Sequence, residues 1–265
     1  MKILCPTDFS EASTNACLAA AKLINPFEDK QIHLVHCINI VSRAGMFLKM
    51  EDMLRQQAKE DLNKLKESIE IINPEIKVTS TVVLENPKSY TTKLAEKEGF
   101  DLISIGTEGL SALKDVTIGS VTEYIIRKSN IPVLAIPPQS NLDSISSIAM
   151  GIENDVSIHR NSLTFLESIA DFNNAKIIGI NVRSAGQMAS SFKMETLFPS
   201  LETEFHSIEV ENNIPSTMAN FVSNNDISIL VMIHQKKNWL QRLFYNSITK
   251  AELFEINFPL LVLPG

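Results

Sequence analysis

Residues 104–122 read SIGTEGLSALKDVTIGSVT, and this stretch decides the fold that we predict. Gly106 and Gly109 lie three positions apart, nine residues follow, and Gly119 and Ser120 open a new apolar segment. The residues before the stretch have a β-type pattern, and the apolar residues after it have helical spacing. Glycine permits positive φ and close backbone approach, and the free N–H groups at a helix N-terminus bind anions. The stretch therefore predicts a phosphate-binding loop between a strand and a helix.

Other phosphate-binding motifs do not occur in the chain. Neither G-x-x-x-x-G-K-S/T nor G-x-G-x-x-G is present, which excludes a P-loop and a dinucleotide fingerprint. In an alternative interpretation, Gly106 and Gly109 serve only a tight turn, and Gly119 with Ser120 is an ordinary helix cap. The order of strand, spaced glycines and helix favours nucleotide binding.

Composition bounds the class of protein. The chain has 265 residues, of which 44% are hydrophobic and 21% charged, as in soluble globular proteins of one or two domains. A net charge of −7 argues against partners such as nucleic acid or an anionic membrane surface. No apolar run approaches the length of a membrane span, and the first residues, MKILCPTDFS, read as a strand instead of a signal sequence. We therefore expect a cytoplasmic protein.

The first half of the chain alternates between strand and helix. Strands are predicted at 3–5, 31–40, 76–84, 101–105 and 132–136. Helices are predicted at 10–23, 48–72, 88–98 and 119–129. This alternation predicts an α/β fold with a parallel sheet covered on both faces, whose ligands bind beyond the carboxyl ends of the strands.

The second half repeats this plan after a linker at 137–144. The closing segment FPLLVLP resembles IPVLAIP at 131–137, so Pro259 corresponds to Pro132. Strands at 147–152, 175–182, 205–210 and 227–233 and a helix at 155–170 complete the second copy. The segment 183–200 replaces the long second helix, and the sequence leaves open whether it is mobile or faces the other domain. The chain is thus predicted to form two tandem Rossmann-like domains, 1–140 and 145–265, each with a five-stranded parallel sheet and helices on both faces.

The second copy has lost the glycine loop. The residues that correspond to Gly106, Gly109 and Gly119 are Ile233, Lys236 and Asn246, although Ser247 and Thr249 persist. The nearest match to Asp8 is Glu153. A β-branched Ile disfavours positive φ, and Lys adds bulk where the backbone should approach phosphate. We expect that the second domain does not bind nucleotide in the same way.

Three segments together resemble the universal stress protein family: PTDFSEAS at 6–13, HLVHCI at 33–38 and the loop segment 105–136. The resemblance covers all of the first repeat and, more weakly, the second. It implies an adenine nucleotide alpha hydrolase-like fold and a role in the stress response. It also implies ATP as the ligand, alone or with Mg²⁺ or Mn²⁺.

The resemblance also implies which residues form the nucleotide site. They are Pro6, Thr7, Asp8, Cys37, Gly106, Thr107, Gly109, Gly119, Ser120, Val121 and Thr122. In the ATP-binding branch of the family, the residues matching Asp8 and Cys37 approach the base, those matching Gly106 and Gly109 lie against ribose and phosphate, and the 119–122 segment holds the phosphates. The family often has His where this chain has Glu108. For Asp8, capping of the first helix is an equally good interpretation, and Cys37 would contribute backbone only.

No catalytic constellation is recognisable. The five histidines are scattered, and His33 and His36 fall on the apolar second strand, where hydrogen-bonded structural histidines are expected. The three cysteines, Cys5, Cys17 and Cys37, lack metal-ligand spacing. Without a phosphate lysine or an arginine finger in the loop, any hydrolysis should be slow. We therefore expect a protein that is not an enzyme and that regulates partners through bound ATP.

Two alternatives remain open from the sequence. One is a scaffold that binds no nucleotide, in which the two domains pair through edge strands as a pseudo-dimer. The other is an ATP-dependent enzyme, either a slow ATPase or an adenylating enzyme of a related α/β class. The pseudo-dimer is compatible with the leading interpretation as well, and so is further association into a homodimer.

Overall fold

The computed structural model of the chain describes residues 1–38, 48–109, 118–140, 142–152, 160–211, 213–234 and 257–264. The chain divides into two compact units, Met1–Asn141 and Leu142–Gly265. Each unit contains a five-stranded parallel sheet with helices, so the predicted α/β class is confirmed.

The first domain contains the predicted alternation of strands and helices. Its strands are β1 (Lys2–Pro6), β2 (Gln31–Cys37), β3 (Lys77–Val83), β4 (Leu102–Gly106) and β5 (Val133–Ile136). Its helices are α1 (Glu11–Leu23), α2 (Leu48–Ile72), α3 (Pro87–Lys97) and α4 (Ser120–Lys128). The last residues of the predicted second strand, 39 and 40, lie outside the described residues.

The strand order β3-β2-β1-β4-β5 places a topological switch point between β1 and β4. All neighbouring strands in this domain run parallel, with Ile3 paired to Leu102 and Ile103 to Val133. Because parallel crossovers are right-handed, α1 and α2 cover one face and α3 and α4 the other, and the helices of each pair pack against one another. The carboxyl ends of β1 and β4 therefore meet at one edge, where open α/β sheets bind ligands.

Helix α1 packs closely against the sheet. Its N-cap Ser10 accepts a hydrogen bond from the Ser13 N–H, and its buried face consists largely of alanine. Small side chains bring the helix backbone near β4, where Ser104 Oγ donates to the Ala16 carbonyl over 2.7 Å. This packing holds the start of α1 beside the carboxyl end of β4.

The second domain repeats the topology with different local elements. Its strands are β6 (Ser147–Gly151), β7 (Lys176–Arg183), β8 (Thr203–Glu209), β9 (Ile229–His234) and β10 (Leu260–Pro264). Its helices are α5 (Arg160–Asn173) and α6 (Ile214–Asn224). The strand order is β10-β9-β6-β7-β8, and Ile148 pairs with Ile229 as Ile3 pairs with Leu102. The internal repeat is therefore confirmed, whereas α6 was not predicted and residues 155–159 of the predicted helix lie outside the described residues.

The segment between β7 and β8 packs on its own sheet. It contains a short 3-10 helix, Met194–Thr196, and both Met194 and Phe198 are fully buried. A Cβ atom on Gly179 of β7 would collide with the Met194 sulfur, so this glycine makes room for the methionine. The segment thus covers part of the face that α2 covers in the first domain.

None of the described helices is both long and apolar enough to span a membrane, since even the 25-residue α2 carries many charges.

Candidate functional site

One cavity at the carboxyl ends of β1, β2 and β4 brings together most of the predicted site residues. All eleven except Thr107 line it. Thr107 is 1% exposed, and its carbonyl is engaged by the Gly119 N–H. The cavity volume of about 170 Å³ is more than ten times what one water needs, so the space suits an organic ligand better than a single ion.

Five further residues line the cavity that the sequence did not assign to it. They are Ser13, Val35, Pro87, Ile105 and Glu108. Val35 precedes Cys37 by two positions on β2, so both side chains emerge on one face of the sheet, and this period of two was a usable signal. Pro87 follows β3 at the start of α3 and could be placed only by the tertiary fold. Glu108 was recognised as unusual but not as part of a wall.

The start of α4 presents hydrogen-bond donors to the cavity. Gly119 is the N-cap, and its N–H already donates to the Thr107 carbonyl over 2.6 Å. The N–H groups of Ser120, Val121 and Thr122 begin the helix, where the α-helical pattern supplies no acceptor. These three residues line the cavity. Because the N-terminal end of a helix also carries partial positive charge, this edge of the cavity suits an anion.

The Thr122 side chain has a structural task. Its hydroxyl donates over 2.6 Å to the carbonyl of Gly106, at the end of β4, and the residue is 3% exposed. This bond ties the first turn of α4 to the strand. Only the backbone N–H of Thr122 is therefore left for a ligand phosphate.

The three loop glycines serve close approach instead of positive φ. None of them lies in the left-handed region, so the positive φ that we expected at the position of Gly106 was wrong. A Cβ atom on Gly106 would lie 2.6 Å from the backbone of α1 at Ala12 and Ser13. One on Gly109 would lie 2.6 Å from Asp8 Oδ2, and one on Gly119 would lie 3.3 Å from the Thr107 carbonyl. The glycines allow the loop to lie against α1 and Asp8.

Asp8 both caps a turn and borders the cavity. Its Oδ1 accepts hydrogen bonds from the Ser10 N–H over 3.1 Å and from Ser10 Oγ over 2.6 Å. Its Oδ2 is the oxygen that lies against Gly109. The interpretation of Asp8 as the cap of the first helix was therefore wrong, because Ser10 caps α1 and Asp8 bonds to Ser10 itself. Asp8 nevertheless lines the ligand space, as the other interpretation expected.

The β1–α1 turn is held rigidly around Thr7. The Thr7 N–H donates to the Val35 carbonyl over 2.9 Å, and its Oγ1 accepts from the Phe9 N–H and bonds to Ser13 Oγ, each over 3.0 Å. Phe9 has a φ of 64° and stacks on the His36 ring with centroids 4.5 Å apart. The turn at the cavity edge is thus preorganised, at the cost of a strained backbone at Phe9.

Cys37 contributes a neutral thiol to the wall. Burial, with a smaller effect of the nearby Glu85 carboxylate, raises the pKa of Cys37 to about 12. A thiol in this state is neither a nucleophile nor a metal ligand near neutral pH. The expectation that the side chain of Cys37 has no chemical role fits this environment.

The two strand histidines are hydrogen-bonded, as the sequence indicated. His33 Nδ1 lies 2.8 Å from Thr79 Oγ1, and burial lowers the pKa of His33. His36 donates from Nδ1 to the Thr7 carbonyl over 2.8 Å. Within the described part of the chain, no three His, Cys, Asp or Glu side chains are grouped to hold a metal ion.

In the second domain, methionine side chains lie beside the end of the first strand. Gly151 occupies the position of Pro6, and a Cβ atom on it would lie 2.7 Å from the Met232 methyl and 3.9 Å from that of Met218. Met232 takes the place of Ile105 and is 2% exposed. Ile233 lies buried in β9, whereas Glu153, Lys236, Asn246, Ser247 and Thr249 fall outside the described residues.

The first domain is similar in sequence to known proteins. Residues 1–137 match the model of the universal stress protein family. The chain is 32% identical over 154 residues to universal stress protein MJ0577 of Methanocaldococcus jannaschii, covering 51% of this chain and 93% of that protein. It is 27% identical over 140 residues to MJ0531 of the same organism, covering 51% of this chain and 81% of that protein.

A solved structure matches almost the whole chain. It is a universal stress protein from Archaeoglobus fulgidus, with a TM-score of 0.77 over 99% of this chain and 96% of that one. Its sequence identity is 16%, so this likeness establishes the fold alone.

Proposed function

Because the chain belongs to the universal stress protein family, we propose that its first domain binds an adenine nucleotide, ATP in particular. In this proposal the protein is a stress-response regulator, in which the bound nucleotide biases conformation or the choice of partner. A ligand can do this only if it binds one conformation better than another.

The observation that carries the proposal is the set of backbone donors at the start of α4. Ser120, Val121 and Thr122 begin that helix and line the cavity, with Gly119 as a cap that bears no side chain. Phosphate oxygens are suitable acceptors for such N–H groups and are favoured by the helix dipole. The triphosphate would lie along this edge.

Other residues of the wall suit a nucleoside. Val35, Pro87 and Ile105 supply apolar surface against which a planar base can pack, and Asp8 supplies an acceptor for a ribose hydroxyl or an amino group. Apolar walls with a few placed polar groups are typical of small-ligand sites. A Mg²⁺ or Mn²⁺ ion would be bound mainly through the phosphates, as Mg²⁺ usually is at nucleotide sites.

We propose binding without turnover. The described residues of the cavity wall include no lysine, arginine or histidine to stabilise a leaving phosphate, and phosphoryl transfer depends on such electrostatic stabilisation. A slow hydrolysis that persists unchanged when the loop is altered would come from a contaminant and would speak against the enzyme alternative.

Nucleotide carried through purification tests the proposal directly. We expect denaturation of the purified protein to release an adenine nucleotide, which mass spectrometry detects. Added ATP at 100 times Kd should raise the free energy of unfolding by about 2.7 kcal/mol. The matched control is Gly109→Lys, which places the second copy's residue in the loop against Asp8. A protein that carries no nucleotide and shows no thermal shift with ATP supports the scaffold alternative instead.

The second domain has a structural role in this proposal. Met218 and Met232 are buried and lie near Gly151, which corresponds to Pro6 of the cavity wall in the first domain. The second copy also lacks the loop glycines, so we propose one nucleotide per chain. Titration calorimetry should give a stoichiometry near one. Pairing of the domains and association into a homodimer stay predictions, and analytical ultracentrifugation of the whole chain tests the association.

A further inference from the structure

The cavity wall has an unusual charge for a phosphate site. Among the described residues that line it, Asp8 and Glu108 are carboxylates and none is Lys, Arg or His. Among these described residues, the attraction for phosphate comes from the start of α4, whose dipole is equivalent to roughly half a positive charge. Two negative side chains oppose it.

The two carboxylates are not equivalent. Asp8 Oδ1 is bonded to the N–H and the hydroxyl of Ser10, which disperses its charge into the turn. Glu108 is partly exposed, and within the described ranges its carboxylate has no ion pair. The Glu108 Cα atom lies 3.9 Å from the position that a Cβ on Gly119, the N-cap of α4, would occupy. Glu108 therefore borders the end of the cavity where phosphates would lie.

We propose that Glu108 determines specificity at this site by the net charge of the phosphate tail. It disfavours a free triphosphate relative to a monophosphate, and a divalent cation on the triphosphate relieves the penalty. This inference rests on the proposed nucleotide binding and adds a preference within it.

The expected size follows from simple electrostatics. At pH 7.5 a monophosphate carries a charge of about −2 and a triphosphate about −4, and a bound Mg²⁺ cancels two of these charges. Repulsion between unit charges several ångströms apart at a protein surface is large enough to change an affinity about tenfold. Adding Mg²⁺ and removing the Glu108 charge should therefore both tighten triphosphate binding. Each should have a smaller effect when the other is already in place.

The test is a set of calorimetric titrations of the full chain with AMP and ATP, each with EDTA and with excess Mg²⁺. Glu108→Gln keeps the size of the side chain and removes its charge. The matched control is Glu123→Gln, which removes a carboxylate from the first turn of α4 that is paired with Arg127 over 3.3 Å and does not line the cavity. Circular dichroism and thermal melts of both variants confirm that the fold is kept.

We expect Glu108→Gln to tighten metal-free ATP binding about tenfold and to change AMP binding by less than about threefold. We also expect Mg²⁺ to tighten ATP binding much less in this variant than in the wild type. The ratio of ATP to AMP affinity should be unchanged in Glu123→Gln.

Two results would overturn the inference, and they are distinguishable. If the wild type binds nucleotide and Glu108→Gln leaves the metal-free ratio of ATP to AMP affinity within twofold, the charge selection is wrong while nucleotide binding stands. If neither protein binds either nucleotide at millimolar concentration, the proposed function fails and the inference fails with it.

Discussion

His36 donates a hydrogen bond from Nδ1 to the main-chain carbonyl of Thr7 over 2.8 Å. In the second domain, Asn181 Nδ2 donates to the Ile152 carbonyl over 3.0 Å at the same place in the fold. Two different side chains thus meet one requirement, because the carbonyl that follows the first strand of each domain needs a donor. We conclude that His36 is structural and fixes the turn beside the cavity.

This equivalence predicts how substitutions of His36 rank. His36→Asn can keep the hydrogen bond to Thr7 and loses only the stacking on Phe9, whereas His36→Ala loses both. We expect His36→Ala to lower the free energy of unfolding by about 1–3 kcal/mol, the cost of leaving a buried polar group unsatisfied, and His36→Asn to cost clearly less. Urea denaturation checks the ranking. Equal losses would show that the stacking, and not the hydrogen bond, is what matters.

Substitutions of Gly106 and Gly109 should affect different properties, the first mainly stability and the second mainly nucleotide binding. A Cβ atom at position 106 meets the α1 backbone at Ala12 and Ser13, whereas one at position 109 meets the Asp8 carboxylate. We expect Gly106→Ala to lower the free energy of unfolding by about 1–3 kcal/mol through overpacking. Gly109→Ala should displace Asp8 and weaken nucleotide binding at least about tenfold, with a smaller change in stability.

Thermal melts and calorimetric titrations of both variants measure the two effects. A destabilised Gly109→Ala whose nucleotide affinity equals that of the wild type would contradict this assignment, because the contact with Asp8 would then concern only folding.

The bond between Thr122 and Gly106 predicts a purely structural loss. Thr122→Val keeps the side-chain shape and removes the hydroxyl that donates to the strand end over 2.6 Å. We expect a loss of about 1–2 kcal/mol, which lowers Tm by roughly 2–4 °C per kcal/mol in a chain of this size. Thr92→Val is the control, because that hydroxyl only bonds back within α3. If both variants melt alike, the bond to Gly106 has no special weight.

The Cys37 thiol should resist alkylation. Burial raises its pKa from 9.0 to about 12, so its thiolate fraction at pH 8 is smaller by about a thousandfold than that of a free thiol. We expect iodoacetamide labelling of Cys37 to be very slow at pH 8 and to accelerate up to about pH 12. Peptide mass spectrometry after timed labelling measures the rate.

The same pKa has a consequence for stability. Because the thiol loses its proton more readily in the unfolded chain, the folded state loses stability as pH rises above 9. Cys37→Ala serves as the control and should show a weaker alkaline loss than the wild type. Rapid labelling of Cys37 at pH 8 in the native protein would contradict the buried, neutral thiol.

Much of the fold could be predicted from the sequence because its signals are local. The alternation of strand and helix patterns predicted α1, and the resemblance between the segments at Pro132 and Pro259 predicted the repeat. Helix α6 carried comparable signals, since Asn213 caps it and a proline occupies its first turn, yet the sequence analysis missed it. The segment around Met194 has no periodic pattern, because its burial depends on the space left above Gly179.

The sequence analysis named most of the residues that line the site but not the contacts that position them. The resemblance to the universal stress protein family named ten of its residues. The structure brings them together because positions that follow strands or start a helix meet at one edge of a parallel sheet. The positions of Pro87 and Glu108 in the wall depend on how separate loops approach one another, which spacing along the chain does not encode.

The sequence by itself determined that this chain repeats one α/β plan and equips only the first copy with a glycine loop, since strand period, helix caps and glycine spacing are local properties. Only the tertiary structure decided what the glycines are for. At Gly106 and Gly109 the absence of a side chain admits the α1 backbone and the Asp8 carboxylate, not an unusual φ. That distinction depends on distances between segments about a hundred residues apart, and only packing fixes those distances.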